Sequence, residues 1–166
     1  MYDYVLQYGF DSKTESYIQS IKDYLKHSGV KDRERNWLPH ITIDLYNCKN
    51  KEDFIEKLDT IIENIEGFNI EFKNLNSCND ETLYIEPYNK DELMKLKQFF
   101  NKELKDYMIE KRRKRNYIPH ATLCTSDTLD KSIQLAKEKF NPFVAKVKYI
   151  WVYDRSMELI KVYDLK

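Results

Sequence analysis

The sequence predicts an α+β protein built from two copies of a β-α-β-α-β unit. Three observations predict it. Apolar residues switch along the chain between a spacing of two and a helical spacing. The 166 residues are 42% hydrophobic and 34% charged, a globular balance long enough to bury a core. The chain also matches itself without gaps when slid by 80 residues: Asn36-Trp37-Leu38-Pro39-His40-Ile41-Thr42-Ile43 falls on Asn116-Tyr117-Ile118-Pro119-His120-Ala121-Thr122-Leu123. In the same frame Tyr4 meets Tyr84, Val5 meets Ile85, Tyr8 meets Tyr88 and Ile70 meets Ile150. The two copies run over about 1–80 and 81–166 of one domain and pack about a pseudo-twofold axis.

The elements follow in order. Residues 2–8, rich in Tyr, Val and Leu, predict a strand. Tyr17, Ile18, Ile21, Tyr24 and Leu25 predict a helix over 12–28, capped by Ser12 with Glu15 three later and stopped by Gly29. The charged stretch 30–36 reads as a loop, and 39–46 as an alternating strand. Phe54, Ile55, Leu58, Ile61, Ile62 and Ile65 mark a helix over 51–66, ended by Gly67. Strands are expected at 68–75 and 82–88. A helix over 91–110 follows, on Leu93, Leu96, Phe99, Phe100, Leu104 and Met108. A strand at 117–124, a helix at 129–140 and a closing hairpin of 143–153 and 158–165 complete the chain.

Composition narrows the function. Lys plus Arg and Asp plus Glu are 28 each, so a generally basic nucleic-acid coat is excluded, while a local positive patch for a small polyanion remains open. Cys48, Cys78 and Cys124 form no CxxC or Cys/His ladder, which speaks against a disulfide scaffold or structural zinc and for a reducing, cytoplasmic setting. The opening residues lack a basic stretch followed by an apolar run, so no signal peptide is expected, and no window approaches a membrane span.

The chemistry concentrates in the repeated Pro-His-x-Thr. Side chains at i and i+2 of a strand share a face. His40 and Thr42 therefore point one way while Ile41 and Ile43 point to the core, and His120 and Thr122 stand likewise opposite Ala121 and Leu123. Two imidazoles titrate near neutrality and can serve as base and acid for one in-line displacement. Two hydroxyls beside them can donate to non-bridging phosphoryl oxygens. The set suits a phosphodiester, above all a strained cyclic one, and no metal or cofactor is called for. A His-based zinc site needs three ligands or more. Only His27 remains, and it reads as a solvated residue at a helix C-terminus.

On these motifs and their spacing, with FNIEFKNL, TLYIEP and the closing hairpin, the chain resembles the 2H phosphoesterase superfamily over essentially its whole length. That superfamily includes RNA 2′,3′-cyclic phosphodiesterases and proteins known as 2′-5′ RNA ligases. The resemblance implies a bilobal fold of antiparallel-rich sheets lining a central cleft, with helices outside. It also implies metal-independent hydrolysis of 2′,3′-cyclic or 2′-5′ linked phosphodiesters of RNA ends or small nucleotides, by a monomer without a membrane. His40 and His120 become the acid–base pair, and Thr42 and Thr122 the phosphate-binding hydroxyls. His120 would activate water and His40 protonate the leaving 3′ oxygen, although a pseudo-symmetric site runs either way. Ligation of 2′-phosphate ends and non-catalytic nucleotide binding are the alternatives.

One departure stands out. The ligase-like branch carries an Arg shortly after its second motif, where this chain has Thr125. Arg115, Arg113 or Arg155 would then supply the cation. The run Lys111-Arg112-Arg113-Lys114-Arg115 reads either as a polyanion grip leading into the second motif or as a solvated helix end. Trp37 and Tyr117, each three residues before a motif His, either stack a base or brace the loop. Tyr4 and Tyr84 either line the groove or join the core.

Overall fold

The computed structural model describes residues 1–34 and 36–166. The chain order is β1 (Tyr4–Phe10), α1 (Ser12–His27), β2 (His40–Tyr46), α2 (Lys51–Ile62), β3 (Phe68–Cys78), β4 (Thr82–Pro87), α3 (Asp91–Glu103), a 3-10 turn (Lys105–Tyr107), α4 (Glu110–Arg113), β5 (Ala121–Thr125), α5 (Leu129–Lys139), β6 (Phe143–Asp154) and β7 (Leu159–Asp164). The expected loop over 30–36 is irregular as read, save at residue 35, which lies outside the described residues.

All strand pairs are antiparallel, in the order β2-β1-β6-β3-β4-β5, with β7 also on β6. The sheets of the two halves are joined through β6, whose length explains how. Phe143–Val147 pairs with β3, while Val147–Asp154 pairs with β1 and carries β7 on its other edge. One half thus holds β2, β1, the end of β6 and β7, and the other the start of β6, β3, β4 and β5. The outermost strands β2 and β5 come back against each other.

Alternation sorts the two faces of β1. Leu6, Tyr8 and Phe10 enter the main core with Ile18 and Ile21 of α1 and Phe54 and Leu58 of α2, so the helices cover that face. Val5 points the other way and joins a smaller cluster with Trp151 and Tyr153, against which Tyr2, Trp37, Leu45 and Tyr149 pack. Gly9 permits this layer, because a Cβ there would sit 2.5 Å from the Trp151 ring.

Three of the boundaries that differ from the sequence reading have a visible physical cause. Asp11, not Ser12, caps α1: its side chain accepts from the Thr14 backbone N–H at 3.0 Å, and Gly29 follows with φ +89°. Gly67 does not end α2, which stops at Ile62; its place is a close approach, where a Cβ would lie 2.9 Å from the Val147 carbonyl oxygen. The helix expected over 91–110 ends at Glu103. Beyond it Met108 turns extended and bridges Tyr46, and the Asn47 N–H donates to the Tyr107 carbonyl at 2.9 Å. These bonds to the end of β2 override the apolar period. They leave the basic run as a separate turn beside β2. No helix among the described residues is long and apolar enough to cross a membrane.

Candidate active site

Both motifs are built alike. Pro39 and Pro119 are buried, and each lacks an N–H to give a ladder, so the strands start just after them: β2 at His40 and β5 at Ala121. The pattern of buried, half-buried and exposed residues is the same, position for position, over 36–46 and 116–126. His40 Nδ1 lies 2.8 Å from the Leu38 carbonyl oxygen, and His120 Nδ1 lies 2.7 Å from that of Ile118. A carbonyl only accepts, so each Nδ1 carries the proton, and Nε2 is the atom left for chemistry.

A bulge follows each motif at the same place. Gln7 pairs with Thr42 and Leu6 with Asp44, skipping Ile43; Tyr84 pairs with Thr122 and Leu83 with Cys124, skipping Leu123. The cross-strand partners of the two threonines are thus Gln7 and Tyr84, not the Tyr4 and Tyr84 matched by the ungapped alignment. Tyr4 instead stacks on Phe54 on the helical side, and Tyr84 lies 4.8 Å, ring to ring, from His120. Each bulge also resets the alternation. Strict alternation would set Asp44 beside His40 and Thr42. The bulge buries Asp44 and brings Leu45 to the cleft.

His40, Thr42, His120 and Thr122 line one cleft of about 350 Å3, with Val5, Gln7, Lys22, Glu34, Trp37 and Arg112 among its other walls. Trp37 stands edge-on, 5.9 Å from the His40 ring and 4.9 Å from Tyr153. Burial, with a smaller contribution from the Lys22 charge, lowers the His40 imidazole to about 4. Gln7 is 1% exposed, and its Oε1 has no hydrogen-bond partner among the described residues. Among the described residues no cluster of three or more His, Cys, Asp or Glu could hold a metal ion.

The remaining candidates divide. Tyr117 does not line the cleft. Its hydroxyl donates to the Thr42 carbonyl at 3.0 Å and burial pushes its phenol up, so it braces β2 from behind. Arg113 and Arg115 do not line it either: the Arg113 guanidinium turns back to the Lys105 carbonyl at 2.7 Å, and Arg115 is exposed. Arg155 reaches the Met1 sulfur at 3.6 Å. Thr125 is held by the loop before the first motif. Its hydroxyl donates to Glu34 at 2.8 Å, its N–H donates to Asp32 at 2.9 Å, and its carbonyl accepts from the Arg33 N–H at 2.7 Å.

Beside Lys22, the cleft lining holds a second described cation, Arg112. Its Nε donates to Asp44 at 2.6 Å, and Lys97 of α3 donates to the other carboxylate oxygen. Burial alone would raise the Asp44 carboxyl, but these two bonds outweigh it and hold it below its ordinary value. Lys97 also donates to the Ile43 carbonyl at 3.2 Å and lies under the Tyr117 ring. A signal for this cluster was present in the sequence: an Asp inside an apolar strand demands a cation, and five follow Met108.

The fold recurs in solved structures. E. coli LigT complexed with 3′-AMP superimposes with a TM-score of 0.69 at 11% identity, covering 99% of this chain and 98% of that one. TT0787 of Thermus thermophilus does so with a TM-score of 0.67 at 8% identity, covering 98% and 97%. LigT complexed with phosphate matches with a TM-score of 0.62 at 11% identity, over 99% and 98%. At these identities the likeness is one of fold. No curated protein matches the chain in sequence. The family pattern of the 2′-5′ RNA ligase superfamily, however, matches residues 10–157, most of the chain. The protein therefore belongs to the 2′-5′ RNA ligase superfamily.

Proposed function

We propose that the protein is a metal-independent phosphodiesterase acting on a nucleotide 2′,3′-cyclic or 2′-5′ linked phosphate. The observation that carries this is the meeting of two His/Thr pairs in one cleft, each ring fixed through Nδ1 and offering Nε2. Neutral His40 suits the proton acceptor: its Nε2 takes a proton from water as the water oxygen bonds to phosphorus. His120 enters the step with a proton on Nε2 as well as on Nδ1 and gives the Nε2 proton to the leaving 3′ oxygen as the phosphorus–oxygen bond breaks, and a 2′-phosphate results. This reverses the polarity implied by resemblance, because burial opposes the charge that a donor His40 would carry. Thr42 and Thr122 donate to the non-bridging oxygens. The matching burial of 36–46 and 116–126, with the twin bulges, supports duplication of one ancestral unit. The match to LigT, whose structures include complexes with 3′-AMP and with phosphate, supports a nucleotide substrate.

Incubation with nucleoside 2′,3′-cyclic phosphates, 2′-5′ oligoadenylate, cyclic dinucleotides and end-defined RNA tests the reading. Hydrolysis of at least one, undiminished by EDTA, is expected. No turnover of any, or activity abolished by chelator, would overturn it, and joined RNA ends would identify a ligase.

The pH profile tests the polarity. Above its pKa His40 is neutral and competent as acceptor; below it the ring is charged and is not. The acidic limb of kcat/KM is therefore expected near pH 4. An acidic limb well above pH 4 would overturn the assignment of His40 as acceptor.

A further inference from the structure

We propose that Arg112 is the anion-binding residue of this cleft, a role the sequence reading gave to its neighbours; the proposal rests on the phosphodiesterase reading and names the cation of that site. Charge comes first. Asp44 carries one negative charge, and Lys97, its side chain 10% exposed, already neutralises it. Arg112 pairs with the same carboxylate and is therefore a surplus positive charge at the cleft wall. Hydrogen bonding comes second. A guanidinium has five N–H donors. Asp44 takes the one on Nε, and no described residue accepts from either Nη group. These four donors, without an acceptor among the described residues, suit a multidentate acceptor such as a phosphoryl group.

Place comes third. Asp44 sits on the core side of β2 because of the bulge at Ile43, and β2 is an outermost strand. Arg112, on the turn α4, reaches around that edge, anchored behind by Asp44 while lining the cleft in front with His40, Thr42, His120 and Thr122. Among the described residues, Lys22 of α1 is the other cation on the lining. Thr125, by contrast, is tied down by Asp32 and Glu34 and brings no charge. The anchor orders the Arg112 side chain before substrate arrives, which lowers the entropy lost on binding.

Titration calorimetry with inorganic phosphate and with 3′-AMP, beside kcat/KM on a nucleoside 2′,3′-cyclic phosphate, tests this on the wild type, Arg112→Ala, Arg112→Lys, Arg113→Ala and Arg115→Ala. Arg112→Ala is expected to weaken phosphate binding about tenfold or more, the scale of a lost charge-assisted contact. Arg112→Lys should fall between, and the Arg113 and Arg115 variants should match the wild type. Added guanidinium should restore part of the loss in Arg112→Ala, which a merely structural role would not allow. If Arg112→Ala fails to fold, Arg112→Lys, which keeps the charge beside Asp44, carries the comparison. Unchanged phosphate affinity in a folded Arg112 variant overturns the proposal. A wild type that binds phosphate through Arg112 yet hydrolyses no diester overturns the phosphodiesterase reading and leaves this one standing.

Discussion

Replacing His40 or His120 by Ala is expected to lower kcat by about 10²- to 10⁴-fold in each case, the usual worth of a positioned proton-transfer group. The two losses should not add. Once either ring is gone the concerted transfer is broken, and the double variant should lie close to the singles. Stability should change little, since each ring gives up a single bond to a carbonyl two residues back. Full turnover in either single variant would remove acid–base catalysis by this pair from consideration. Thermal melts recorded beside the rates separate loss of chemistry from loss of fold.

Asp44→Ala is expected to produce the largest loss of stability, about 3–5 kcal/mol, because it strands a buried ammonium. Lys97 would keep only the Ile43 carbonyl at 3.2 Å and the Tyr117 ring. The same change frees Arg112, so activity should fall even where the protein remains folded. Urea unfolding of Asp44→Ala, Lys97→Met and the double variant measures the coupling. The double variant should recover most of the loss, since an apolar pair of similar volume often replaces a buried ion pair without penalty. A loss below about 1 kcal/mol in Asp44→Ala would mean that Lys97 sheds its proton or reaches water at small cost.

Much of this architecture could be read from residues alone, because it rests on local periodicity. The strand around Ile41 and Ile43, the helix on Ile18, Ile21 and Leu25, and the opposition of His40 and Thr42 to the core are properties of short windows. The likeness of the two motifs was equally local, and it led to one shared cleft. What escaped were features set by partners distant in sequence. Nothing near Leu104 announces that the chain will leave its helix to bridge Tyr46. A bulge cannot be seen in Ile43 or Leu123, and without it Asp44 is misplaced on the wrong face. Tyr117 looked equivalent to Trp37, yet one bonds the Thr42 carbonyl from behind β2 and the other stands at the cleft. Among five consecutive basic residues, only the position of Asp44 in space selects Arg112.

The passage of β6 through both halves has a further consequence. In the chain, β3 follows β1 and β2, yet it pairs with β4 and with the start of β6; the end of β6 and β7 complete the sheet begun by β1. Each sequence half lends its last segment to the other's lobe, a reciprocal exchange within one molecule. Cutting between the halves near residue 80 would leave two incomplete sheets with bare edges. The self-matching halves of the sequence and the two sheets are therefore different objects, and both imidazoles line a cleft whose framework neither half can assemble by itself.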